Sequence, residues 1–299
     1  MHYFIIFLTV FFYSHYNIAN EVDNYTFRYQ PLNDSLEALN EKTNFELNSA
    51  AKSTNQKKGC NNKLLYKEIK NRLGGHLFGR LELWTESSPQ IDKIYTKRTE
   101  SVYQDFNFFE SYPQYFIPMS PIIKINGTII GSDKFGHFFE EGWDYFKIVY
   151  IKKRGLHYAL RYGDYTEMGL FGSGTTGIYS YADLTANYNG MRFWANLVEE
   201  TAPPGEHLFE CENNRFVQVK NLDWKEYIDA AWDESINCSE FNSSAMEKKV
   251  KNRIVELQKR SKNNYTCPAD KKLCKDIREK YQEHLLWLIS PQCFKLKIN

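Results

Sequence analysis

Residues 131–146, GSDKFGHFFEEGWDYF, thread Asp133, Lys134, His137, Glu140, Glu141 and Asp144 among aromatic side chains. An ordinary amphipathic helix keeps charge on one side and apolar residues on the other. A helix mixed in this way can be buried only if other parts of the chain meet its charged groups. The segment therefore constrains the fold more than any other: it is expected to form one wall of a buried polar site.

The opposite wall is legible downstream. Asp133 and His137 lie one turn apart on one helix, and Asp183 and Asn187 lie one turn apart on another, in SYADLTANYNG. If these helices pack side by side, the four groups face one another, and Glu167 at the end of the intervening helix completes the cluster. Each residue also has a plain role. Asp133 can cap a helix, Asp183 can complete a capping box with Ser180, His137 can be a satisfied core histidine, and Glu167 can sit on the surface. Those readings explain the residues singly, whereas a shared site explains them together. A carboxylate beside an imidazole fixes its tautomer and raises its basicity. Further carboxylates can hold a hard cation or act as acid and base. The candidate catalytic residues are thus Asp133, His137, Glu167 and Asp183. Lys134, Asn187 and Ser180 are candidates for substrate binding. Asp133, His137 and Asp183 are candidate ligands for a divalent metal ion, the one cofactor considered.

Other motifs fail on context. GSGTTG (172–177) matches a dinucleotide-binding glycine pattern, but no strand precedes it and no alternating α/β pattern surrounds it, so a loop is expected. It is not a nucleophile elbow either. His137-Phe138-Phe139-Glu140-Glu141 lacks the second histidine of the zinc-protease helices.

The chain opens with the apolar run Tyr3–Tyr13, too short to span a bilayer, followed by polar residues and Ala19. This reads as a signal peptide over 1–19 and implies an exported, periplasmic or secreted protein with no transmembrane helix in the mature chain. The 6 cysteines fit that compartment as three disulfides, and five of them lie after residue 210. Cys267 and Cys274 are close enough in sequence to pair locally. No C-x-x-C pair supports zinc. Six N-x-S/T sequons, beginning at Asn24, Asn33, Asn126, Asn237, Asn242 and Asn264, matter only in a glycosylating host. A net charge of +1 gives no electrostatic case for nucleic acid. Lysine-rich pieces such as Lys147–Arg154 read as solvated helix faces.

The expected fold is mainly α: a helical bundle with one or two short β-hairpins and a disulfide-stapled C-terminal part. Residues 20–60 read as a polar, flexible arm with one weak helix, 61–204 as the helical core, and 205–299 as a cysteine-bearing helical region. Within the core, Lys63–Leu73 is helical and residues 122–130 form a hairpin about Asn126-Gly127. Helices follow over 133–154, 156–168 and 180–200. A second hairpin turns at Asn213-Asn214, and helices cover 223–238, 246–260 and 276–289.

The order Asp133-Lys134, His137-Phe138, Glu167, then Ser180-x-x-Asp183-Leu184-x-Ala186-Asn187-x-x-Gly190 resembles the VanZ-like and YfiM-type envelope proteins over about residues 130–192. The resemblance implies a small helical bundle at the cell envelope. That family's helices are commonly embedded in the membrane, whereas GWDYFKIVYIKKRG and NYNGMRFWANLVEE are too polar for lipid. Two readings follow. One is an exported, non-enzymatic protein whose polar cluster fixes helix register, with an envelope component or lipid head group as partner. The other is a hydrolase, with or without a metal, acting on an envelope lipid phosphate or glycan.

Overall fold

The computed structural model describes residues 21–75, 79–169 and 172–294. The expected signal peptide lies outside them. Helices dominate, joined by a few short antiparallel strand pairs, and three disulfides staple the chain.

The first element overturns the expectation of a flexible arm. α1 (Leu36–Lys58) is a 23-residue helix that buries Leu39, Leu47, Ala50 and Ala51 along one side. The asparagines that made this region look unstructured serve as clasps. Asn44 accepts from the Leu222 amide and donates to its carbonyl, each at 2.8 Å. Asn55 holds Phe216 in the same way at 2.7 and 3.0 Å. A side-chain amide matches a backbone peptide in donors and acceptors, so polar residues can dock a helix against another chain segment. Residues ahead of α1 are anchored too: Tyr25 donates its hydroxyl to the Glu234 carbonyl, and Arg28 pairs with Asp233.

α2 (Asn62–Leu73) starts on Asn61, whose side chain accepts from the Leu64 amide. α3 (Arg80–Ser87) leads to β1 (Lys93–Ile94), which pairs with β2 (Ile122–Ile125), itself paired with β3 (Thr128–Gly131). The hairpin turn is at Asn126-Gly127, whose φ values of 52° and 77° suit a tight turn that keeps the strand twist. The expected helix over 133–154 forms in pieces: α4 (Lys134–Phe139), α5 (Glu141–Phe146) and a π-helical turn, Lys147–Ile151. The break falls at Glu140, whose carboxylate is drawn to the end of α2 by the Gly75 amide and by Lys70 at 2.7 Å.

α6 (Leu156–Met168) and α7 (Tyr181–Ala195) complete the helical core. α7 is buried along nearly its whole length and ends earlier than residue 200. Between them, 172–176 is a turn, as expected of the glycine-rich loop. β4 (Ile178–Tyr179) pairs with β7 (Glu240–Phe241), and the second hairpin joins β5 (Phe209–Glu212) to β6 (Arg215–Gln218).

The expected helix over 223–238 is absent. Two 3-10 turns, Trp224–Glu226 and Ala230–Trp232, stand in its place. Asp223, Asp229 and Asp233 each accept a hydrogen bond from the amide two residues on, at 3.1, 2.8 and 2.9 Å. Such local side-chain bonds compete with helical ones, and three of them in one short segment draw it away from a helix. α8 (Ser244–Arg260) forms as expected, whereas 276–289 splits between α9 (Lys271–Lys280), a 3-10 turn and α10 (Leu285–Leu288). α11 (Pro291–Phe294) closes the described chain.

The disulfides are Cys60–Cys211, Cys238–Cys267 and Cys274–Cys293, so Cys267 and Cys274 do not pair locally. Two bridges staple the C-terminal part, and the third ties the end of α1 to the second hairpin. The main apolar core runs from Leu39 to Cys293, and a smaller cluster gathers Tyr103, Phe106, Met246 and Val250. Asn24 and Asn237 are fully buried, which takes two of the sequons out of reach of a glycan in the folded chain.

Candidate functional site

The site lies where α4 and α5 cross α7. Gly142 and Gly190 meet at this crossing. A Cβ on Gly142 would sit 2.6 Å from the Gly190 Cα, and one on Gly190 would overlap the Phe138 carbonyl. Only hydrogens on these two carbons let the backbones approach so closely. The approach brings His137 and Lys134 on α4 against Asp183 and Asn187 on α7.

Aromatic packing supplies a third wall. Phe138 lies 4.8 Å from the Trp224 ring and 5.8 Å from that of Trp232, and Phe135 lies 5.1 Å from Trp224. Each buried aromatic contributes about 1.5–3 kcal/mol by leaving water. Their joint burial fixes the 223–238 segment against α4 and presents Glu234 to Lys134.

Lys134 has no solvent exposure, 0%. Its Nζ lies 2.6 Å from Asp133 Oδ2, 2.6 Å from Asp183 Oδ1 and 2.8 Å from Glu234 Oε1. Burial alone would lower its pKa, but these three carboxylates drive it well above the ordinary lysine value. His137 Nε2 lies 3.1 Å from Asp183 Oδ2, and its Nδ1 lies 3.7 Å from Glu141 Oε2. Burial opposes its charge as well, yet Asp183 and Glu141 hold its pKa well above the usual value. Asp183 Oδ1, which faces Lys134, and His137 Nε2, which faces Asp183 Oδ2, make these contacts as ion pairs rather than as aligned hydrogen bonds. With its amide oriented nitrogen-inward, the sense that satisfies both of its ends, Asn187 donates to the carbonyls of His137 and Asp183, at 3.2 and 3.1 Å, and the first of these bonds ties α7 to α4.

The plain roles of the two aspartates are now settled. Asp133 makes no side-chain cap on α4. Ser180 does cap α7, accepting from the Asp183 amide, but the Ser180 amide donates to Glu167 Oε1 at 2.9 Å. Glu167 therefore takes the position that a capping-box partner would fill, and Asp183 is free to enter the cluster. Ser180 Oγ donates to Glu234 Oε1 at 2.8 Å.

Acids outnumber bases here. Burial and the nearby Asp183 push Glu167 up to about 8. Burial lifts Glu141 to about 7 against the pull of His137, and Glu234 to about 6 against that of Lys134. Burial also raises Glu82, on α3, well above its ordinary value, with Asp133 and Glu86 adding to it. Asp183 runs the other way. Burial would raise it, but His137 and Lys134 together hold it below the usual carboxylate range. Near neutrality the cluster thus contains two cations, several carboxylates and at least one protonated acid.

The structure brings together Asp133, Lys134, His137, Glu167, Ser180, Asp183 and Asn187, the full set read from sequence. Asp133, His137 and Asp183 each offer one ligand atom, and these atoms lie within 4.8 Å of one another. Glu234, Glu141 and Glu82 were missed. Glu141 was within reach of the same spacing argument, standing four residues after His137. Glu234 had a weaker signal, an acid in AAWDESIN, where Ala230, Ala231, Trp232 and Ile236 mark a segment able to bury itself. Among the described residues no helix is long and apolar enough to cross a membrane. No protein-family model matches the chain, and neither a curated protein nor a solved structure matches it.

Proposed function

We propose that this chain is an exported protein of the cell envelope, and that its buried cluster is an electrostatic staple that fixes helix register. The observation that carries this reading is Lys134: an ammonium without solvent exposure, shared by carboxylates from α4, α7 and the 223–238 segment. Its charge is met from within, and the residues around it are buried, an arrangement suited to specifying one packing of three segments. Three disulfides favour an oxidising compartment. The resemblance of the Asp133–Gly190 motifs to VanZ-like and YfiM-type proteins favours the envelope. Fractionation of cells carrying a tagged chain tests the location, and recovery in the cytoplasm refutes it. For the staple, His137→Ala and Asp183→Asn should lower the melting temperature, with any phenotype following the amount of folded protein. A His137 variant with unchanged melting temperature and lost phenotype would overturn it.

One observation favours a second reading, the convergence of Asp133, His137 and Asp183 on a common point. Two carboxylates and an imidazole suit a divalent ion. Such an ion would serve a hydrolase acting on an envelope lipid phosphate or glycan, with His137 as ligand or general base. Lys134 touches both aspartates at 2.6 Å, so the ion must share or displace an ammonium that already neutralises them. Elemental analysis, with thermal shifts under chelator and under added zinc, manganese and magnesium, separates the two. A stabilising shift that Asp183→Asn abolishes supports the metal.

A further inference from the structure

α6 has two faces of opposite character. Ala159, Leu160, Gly163 and Glu167 are buried against the core. The other side is exposed and carries His157, Tyr158, Arg161, Tyr165 and Met168, which share one stripe at helical spacing. Just before the helix, Ile151, Lys152, Lys153 and Arg154 are exposed as well. Neither α6 nor the 151–155 segment holds an exposed acid. Asp164 accepts the Tyr179 hydroxyl and is half-buried, and Glu167 faces inward. Lys152, Lys153 and Arg161 have no ion pair among the described residues, and Arg154 spends its contact on Tyr158, 2.9 Å away.

Solvated lysines alone would make an ordinary helix face. What sets this one apart is the apolar material left in water beside them. Ile151 is 58% exposed, Tyr165 74%, and Leu286, on the neighbouring α10, 75%. Leu286 and Met168 border the same cleft, with the exposed Glu240 also on its lining, and the Trp287 ring stands 5.4 Å from that of His157, so the apolar patch continues from α6 onto α10 while the cations stay on α6 and the segment before it.

We infer that this surface docks flat on an anionic lipid bilayer, with Lys152, Lys153 and Arg161 at the head groups and Ile151, Tyr165 and Leu286 at the acyl boundary. Positive charge without acidic partners complements an anionic leaflet. Exposed aliphatic and tyrosine side chains gain from partial insertion, as on interfacial helices. A soluble polyanion would reward the charges and leave Ile151 and Leu286 unused. The inference deepens the envelope reading, since it supplies the surface that the chain would dwell on, but it is independent of the buried cluster.

Sedimentation of the full chain with vesicles tests it. The chain should pellet with phosphatidylcholine vesicles containing phosphatidylglycerol and stay in solution with phosphatidylcholine alone. Lys152→Glu with Lys153→Glu should weaken partitioning at least about tenfold. Ile151→Ser with Tyr165→Ser should weaken it by several-fold. All four positions are exposed, so melting temperatures should hold, and Arg161→Glu gives an independent charge variant. Failure to pellet with anionic vesicles overturns the inference, as does equal pelleting with both. Binding to heparin that matches vesicle binding and ignores the Ile151→Ser, Tyr165→Ser change overturns it in favour of an anionic polymer. A cytoplasmic chain that still binds anionic vesicles would refute the envelope reading alone.

Discussion

Lys134 stands among Asp133, Asp183 and Glu234 with no water to fall back on. Breaking such a group from one side costs more than the group is worth intact, because the remaining charges stay buried and unpaired. Lys134→Met should therefore lower the unfolding free energy by about 3–5 kcal/mol, read from urea denaturation. A loss under about 1 kcal/mol would mean that the carboxylates protonate or hydrate at little cost. Titration gives a second prediction at this scale. Glu234, Glu141 and Glu167 sit at about 6, 7 and 8 in the fold against an ordinary 4.5, so the folded state binds their protons more tightly than the unfolded chain. Their contribution is full below the ordinary value and is lost as pH rises through 6, 7 and 8. The raised Lys134 and His137 act in the same sense. Asp183, held low, contributes above the ordinary 3.8 and loses that contribution as pH falls below it. The melting temperature should thus peak in mild acid and decline toward alkaline pH, and Glu167→Gln should remove the step near 8. A melting temperature that climbs steadily from about pH 5 to pH 9 would contradict these protonation states. Most of this cluster was legible because i,i+4 spacing is a property of the helix itself. Glu234 was not, since it enters from a segment positioned only by the burial of Phe135, Phe138, Trp224 and Trp232.

Between elements, the contact that matters is the α4–α5 crossing over α7 at Gly142 and Gly190. Glycine inside a helix ordinarily costs about 1 kcal/mol relative to alanine, so an exposed Gly→Ala change usually stabilises. Here the sign should reverse. A methyl on Gly190 overlaps the Phe138 carbonyl, which belongs to backbone and cannot rotate away. Gly190→Ala should destabilise by at least about 1–3 kcal/mol and should also widen the gap between His137 and Asp183. The widening is readable as a fall in the imidazole pKa toward its ordinary value by NMR titration. An alanine variant as stable as the parent, with the histidine pKa unmoved, would show that the crossing has slack. Element boundaries were legible where turn chemistry was local, as at Asn126-Gly127 and Asn213-Asn214. They were misjudged where distant groups decide. The carboxylate of Glu140 is drawn away to α2, three aspartates divert 223–238 from helix, and the asparagines of α1 find their partners at Phe216 and Leu222, more than a hundred residues on.

Across the whole molecule the three disulfides close successive loops that neither overlap nor nest: Cys60–Cys211, then Cys238–Cys267, then Cys274–Cys293. Loops arranged in this way restrict separate parts of the unfolded chain, so their contributions should add. The enclosed lengths differ widely, with sequence separations of 151, 29 and 19. Chain entropy assigns about 5 kcal/mol to the first bridge and about 3 to the last. Paired serine substitutions at Cys60 and Cys211 should therefore cost more than those at Cys274 and Cys293, compared by denaturant unfolding. The middle bridge carries a further consequence. It holds Cys238 four residues beyond Glu234, and the Ala269 amide donates to the Ser235 carbonyl at 2.7 Å beside it. Releasing it frees the segment that presents Glu234 to Lys134. Removal of Cys238 and Cys267 should accordingly cost stability and also flatten the pH dependence near 6, where Glu234 titrates. The outer bridges should leave that feature in place. If all three pairs of substitutions leave the pH profile alike, the 223–238 segment is held by its aromatic packing alone, and the covalent frame and the charged cluster are independent features of the fold.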